Sequence, residues 1–148
     1  MISSEDDSKG AHDVRWQQRL YNYRRSVDNL REALEGTSAR PATRLERQGI
    51  IKAFELCYEL AWKTLQDYLQ YQGYDDVVGP KPVLRRAFAI GIIHNGELWS
   101  EMHRTRNEGA HIYSENLASE LEKLIRTRFA DPLQQLSDDL HTKAESTV

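Results

Sequence analysis

Six apolar side chains in the first quarter of the chain, Trp16, Leu20, Tyr23, Val27, Leu30 and Leu34, follow one another at steps of 4, 3, 4, 3 and 4. A strand alternates every second residue, so this spacing fits only one face of an α-helix. It predicts a helix over about residues 11–35 with a narrow buried stripe. Gly36 and the run Thr37-Ser38-Ala39-Arg40-Pro41 then read as a short connection.

The second signal is wider. Ile50, Ile51, Phe54, Cys57, Tyr58, Ala61, Trp62, Leu65, Tyr68 and Leu69 sweep out a broad apolar arc. That predicts a helix deep in a bundle, starting on either side of Gly49 and stopping near Gln72-Gly73. The stretch Tyr74 to Pro82 reads as the longest loop, with Pro82 suited to open the next helix. Val83, Leu84, Ala87, Phe88 and Ile90 predict a short third helix. Asn95-Gly96 could turn a hairpin, but its flanks are helical in pattern. Leu98, Trp99 and Met102 predict a fourth helix running into Arg104-Thr105-Arg106. Leu117, Leu121, Leu124 and Ile125 mark the last strong stripe, with Ser114 as N-cap. Asp131-Pro132 is expected to interrupt it, with Leu133, Leu136 and Leu140 continuing weakly. No run reads as a strand. The expected fold is all-α, an antiparallel up-and-down four-helix bundle with one short extra helix.

At 148 residues, one domain is expected. Residues 1–13 and 129–148 each carry a net charge of −3, so the body between them is about +3. The expected division is an acidic, flexible tail over residues 1–13, a folded domain over 14–136 and a flexible tail over 137–148. Fourteen of the 20 basic residues are arginine, the side chain whose planar fork suits phosphate and carboxylate. Most of them read as solvated helix faces. No apolar run approaches the ~18 residues of a membrane span. The polar N-terminus is neither a secretory nor a transit signal, and the single cysteine forms no internal disulfide, so a cytoplasmic location is expected. Cys57 falls on the apolar arc and reads as a buried core thiol.

Motifs for dinucleotides, P-loop phosphates and zinc proteases are missing, and one cysteine cannot build a thiolate zinc site. No cofactor and no metal are expected. Chemistry concentrates instead in Met102 to Ser114, which holds His103, Arg104, Arg106, Asn107, His111 and Tyr113. An unbroken helix would separate Arg106 and His111 by about 140°. Gly109 is expected to loosen or end the helix, which would let the two converge. An imidazole can move a proton near neutral pH, and a guanidinium can hold a phosphate and its growing charge. The competing reading is that Arg106 and Asn107 cap a helix end and His111 opens the next turn. Glu55 and Glu59 lie four apart beside the apolar arc; Glu55 reads as a solvated or helix-pairing carboxylate, with an inward acid that reaches this segment as the alternative. His103 and Arg104 could widen a phosphate-binding surface. His94, beside Asn95-Gly96, reads as a turn residue.

Arg106-Asn107, three residues, then His111-Ile112-Tyr113 resembles the R-x4-H-x-Y signature of HEPN domains. The block Phe54 to Leu65, with Pro82, Ala87-Phe88, Gly91-Ile92-Ile93, Glu97-Leu98-Trp99 and Met102, is similar to the nucleotidyltransferase substrate-binding proteins, HEPN-type partners of minimal nucleotidyltransferases. One departure is Glu108-Gly109-Ala110, where the family more often has a Leu-Thr-Ser-like stretch. The resemblance implies a homodimer whose R-x4-H segments face each other, and a separately encoded minimal nucleotidyltransferase as partner. It implies a metal-independent endoribonuclease toxin acting on RNA, with Arg106 and His111 catalytic, Asn107 orienting the loop, and AMP transferred to Tyr113 as the silencing step. The alternative it leaves open is a non-catalytic substrate-binding subunit. Glu55, His103 and Arg104 are the further substrate-binding candidates.

Overall fold

The computed structural model describes residues 4–109 and 114–146. Its elements are α1 (Ser4–Gly36), α2 (Arg44–Tyr71), α3 (Pro80–Ala89), α4 (Gly96–Gly109), α5 (Glu115–Leu124), a π-helical turn (Ile125–Phe129) and α6 (Ala130–Ser146). The protein is an all-α helical bundle, with no strand among the described residues.

The six stripe residues of α1 are all buried, from Trp16 to Leu34. They meet the broad arc of α2, where Ile50, Phe54, Cys57, Tyr58, Ala61, Leu65 and Leu69 are also buried. The two helices run antiparallel: Lys9 near the start of α1 lies over the ring of Tyr71 at the end of α2, Arg19 midway along α1 pairs with Asp67 at 3.0 Å, and Trp16 sits edge-on to Tyr68. On its other flank α1 is antiparallel to α6. Arg24 donates to the Ser137 carbonyl at 2.7 Å, Arg31 pairs with Asp131 at 2.7 Å, and the Tyr23 phenol donates to the Leu133 carbonyl.

α2 begins before Gly49, at a capping box. Thr43 Oγ1 accepts from the Glu46 amide, and the Glu46 carboxylate accepts from the Thr43 amide. Arg40 grips the same carboxylate, and with the Thr43 amide it holds the Glu46 carboxyl at about 2, below the usual carboxylate range. α2 ends where expected, with Gly73 at φ +100° turning the chain. Asn95-Gly96 opens α4 rather than a hairpin, since Asn95 Oδ1 accepts from the Leu98 amide. Ser114 caps α5 through the Leu117 amide.

Other expectations are corrected. α1 begins by Ser4, so much of the expected N-terminal tail is helical. α3 starts at Pro80 rather than Pro82. Phe88 and Ile90 are not core residues but lie half-exposed, with the Phe88 ring against the Gly96 backbone. Leu117 is likewise half-exposed. Pro132 does not end its helix. In regular α geometry its ring would crowd the Arg128 carbonyl; the π turn just before it widens the spiral, with the Ala130 amide donating to the Ile125 carbonyl. The helix therefore carries on to Ser146, and Leu133, Leu136 and Leu140 are among the best-buried side chains. The segment expected as a C-terminal tail begins at a buried Ser137.

The arginines do more than solvate helix faces. Arg47 reaches both Glu115 (2.8 Å) and Glu122 (2.9 Å) on α5. Arg126 bonds Glu122, the Leu34 carbonyl and Thr37 Oγ1, closing the open end of α1. Arg128 ties the π turn to Glu101 of α4 at 2.6 Å. No helix among the described residues is long and apolar enough to cross a membrane.

Candidate functional site

α4 packs on α2 and delivers its last two turns, with His103, Arg106 and Asn107, against Tyr58 and Glu59. The register of α4 is set by Trp99 and Met102, both buried in the core. One turn further on, the same face of α4 presents His103 and Arg106 to α2.

Arg106 is partly buried. Its NH2 group lies 3.3 Å from Glu59 Oε1. The same carboxylate is 3.6 Å from Lys63 one turn along α2. The Arg106 Nε is shut off from solvent with no hydrogen-bond partner among the described residues. One side of the guanidinium is thus neutralised, and an N–H remains to be satisfied. Arg106 also stands in the last turn of α4, where the carbonyl end of the helix dipole favours a cation.

His103 Nδ1 lies 2.6 Å from the Tyr58 hydroxyl, and its Nε2 lies 3.2 Å from Asn107 Nδ2. Burial lowers the His103 pKa below the usual histidine value, and the charges of Lys81 and Arg106 push it the same way. Its imidazole is neutral at neutral pH. Tyr58 is fully buried, and burial first, then the nearby Glu59 carboxylate, raises its phenol well above the tyrosine range. Cys57, next to it but facing the core, has its thiol pushed up to about 12 by burial, so it is no nucleophile.

Of the residues singled out from the sequence, Arg106, Asn107 and His103 come together at this α2–α4 contact. Arg104 is exposed on α4. Glu55 lies 4.0 Å from Lys52 one turn back on α2, the helix pairing expected of it, and Glu59 is the carboxylate beside Arg106. His111 and Tyr113 lie outside the described residues. α4 is described as far as Gly109, and the expected break before His111 likewise falls outside the described residues. In the sequence Tyr58 reads only as part of an apolar arc. Its hydroxyl is the available signal, because a buried phenol needs a polar partner.

A family model described as "Nucleotidyltransferase substrate binding protein like" matches residues 18–142, and the chain belongs to that family. A crystal structure of a Thermus thermophilus protein is similar to it, with a TM-score of 0.68 and 26% identity over 77% of this chain and 94% of that one. No curated protein matches it.

Proposed function

We propose that this chain is the helical subunit of a two-component system whose other member is a separately encoded minimal nucleotidyltransferase, and that the end of α4 is a metal-independent RNA-cleaving site. Arg106 is the observation that carries this reading: a guanidinium held between two helices, tied on one side to Glu59 and still 30% exposed, fits the binding of a phosphate. His111 takes the proton of a ribose 2′-OH. The 2′-oxygen bonds to the adjacent phosphorus, the bond to the 5′-oxygen breaks, and that oxygen leaves with a proton from the imidazolium. The products are a 2′,3′-cyclic phosphate and a 5′-OH end. Arg106 offsets the charge that grows on the phosphate. Transfer of AMP to Tyr113 would bring bulk and negative charge to the same place and silence it.

The second reading, a non-catalytic substrate-binding subunit, draws support from Glu59, which already supplies Arg106 with an anion, and from the family description. Expression of the chain alone separates the two. The first reading predicts growth arrest that co-expression of the nucleotidyltransferase relieves; the second predicts normal growth in both cases.

A homodimer is also expected, for a reason other than the wide arc of α2, which the chain covers by itself. Leu45 and Leu117 remain 79% and 51% exposed. They flank the ion pairs that join Arg44 and Arg47 to Glu115, at the point where the chain leaves the motif segment and enters α5. A symmetric contact there would cover both leucines and bring two motif segments together. Sedimentation at micromolar concentration should give twice the 17.2 kDa chain mass, and a purely monomeric species would refute it.

A further inference from the structure

Three side chains form a line from the core to the surface at the end of α4. Tyr58 is fully buried, its hydroxyl is 2.6 Å from His103 Nδ1, and His103 Nε2 is 3.2 Å from the exposed Asn107 amide. A neutral imidazole has one donor nitrogen and one acceptor nitrogen. Which is which follows from Tyr58. Among the described residues, His103 is the polar group its hydroxyl reaches, and a buried hydroxyl whose hydrogen finds no acceptor is costly. The phenol O–H therefore donates to Nδ1, and the ring proton sits on Nε2. An amide nitrogen facing Nε2–H would set donor against donor. A half-turn of the Asn107 amide exchanges nitrogen for oxygen with almost no change in shape, and that orientation satisfies the line.

We propose that Tyr58 and His103 are positioning residues for the candidate site: Tyr58 fixes the Nε2–H tautomer of His103, Nε2–H holds the Asn107 amide oxygen, and the Asn107 amide nitrogen is thereby turned outward as a donor to an anionic oxygen bound at Arg106. The anion-binding part rests on Arg106 as a phosphate-binding group; the hydrogen-bond line does not. His103 becomes a support rather than a proton carrier. The chemistry of the ligand follows: a phosphodiester with two unbridged oxygens, one for the guanidinium and one for the amide.

The test uses the full chain. Nitrogen-15 spectra of the imidazoles at neutral pH should show His103 as the Nε2–H tautomer, and Tyr58→Phe, which keeps the ring and its packing, should shift it to a mixture. Binding is read with a 2′-deoxy-substituted oligonucleotide, which cannot be cleaved through a 2′-oxygen. Tyr58→Phe and Asn107→Asp should each weaken it about tenfold, the scale of one hydrogen bond to a charged group, and Arg106→Ala by more. An Nδ1–H tautomer in the unaltered chain, or a tautomer unchanged by Tyr58→Phe, overturns the positioning line. Unchanged oligonucleotide affinity in Arg106→Ala overturns the ligand site while leaving the tautomer result to stand on its own.

Discussion

RNA cleavage by the purified chain should persist in excess EDTA and disappear in His111→Ala. A positioned general base contributes about 10²–10⁴-fold, so the variant should fall by at least two orders of magnitude. Arg106→Ala should fall at least as far, because it removes the guanidinium proposed to meet the transition-state charge. Asn107→Ala should act more mildly, since Arg106 stays tied to Glu59 without it. The EDTA result follows from the residues at hand. In the proposed chemistry a guanidinium and an imidazole do the work on the 2′-OH, and no step calls on a metal ion. Activity lost to EDTA and restored by a divalent ion would sink this mechanism.

The largest stability effect should come from Phe54→Ala. Phe54 and Phe129 are both fully buried. Their rings stack at 5.5 Å between centroids with planes 17° apart, fastening α2 to the π turn where the last helix is least regular. Truncating a buried phenylalanine costs about 3–5 kcal/mol, a large share of the ~5–15 kcal/mol that holds a domain folded. With a urea slope of about 1–3 kcal/mol/M, the midpoint should drop by about 1 M or more. Phe88→Ala is the control. That ring is half-exposed, and its loss should cost under ~1 kcal/mol. Equal midpoints for the two variants would contradict the placement of the core.

These two predictions draw on different depths of the sequence. The stripe from Trp16 to Leu34 was legible because one buried face of a helix writes a 3.6-residue period and nothing else in the chain competes with it. The π turn was not, because a bond from residue 130 back to 125 has no periodic signature. Pro132 then argued for a break, and the well-buried Leu133, Leu136 and Leu140 looked like a weak tail. Phe88 misled in the other direction: it sits at helical spacing from Leu84 yet leans on the Gly96 turn rather than into the core.

At the site, residue types were readable and partners were not. Arg106 and Asn107 stood out by composition and by their resemblance to a motif. Periodicity reports which face a residue occupies, not what crosses that face. Glu55 and Glu59 are equivalent in sequence, one turn apart on α2, and only the path of α4 selects Glu59. The same limit hid the Tyr58–His103 contact, which joins residues 45 positions apart.

The proposed pairing with a nucleotidyltransferase, and the end of α4 as the place where it acts, are tested most directly by intact mass. The chain is incubated with the proposed partner, a minimal nucleotidyltransferase, and with ATP, then weighed and its peptides mapped. The account predicts a gain of one or more AMP units, located on Tyr113, and a Tyr113→Phe chain that stays a folded dimer but gains none. AMP found on Ser114 or Tyr74, or no gain in mass at all, would contradict it.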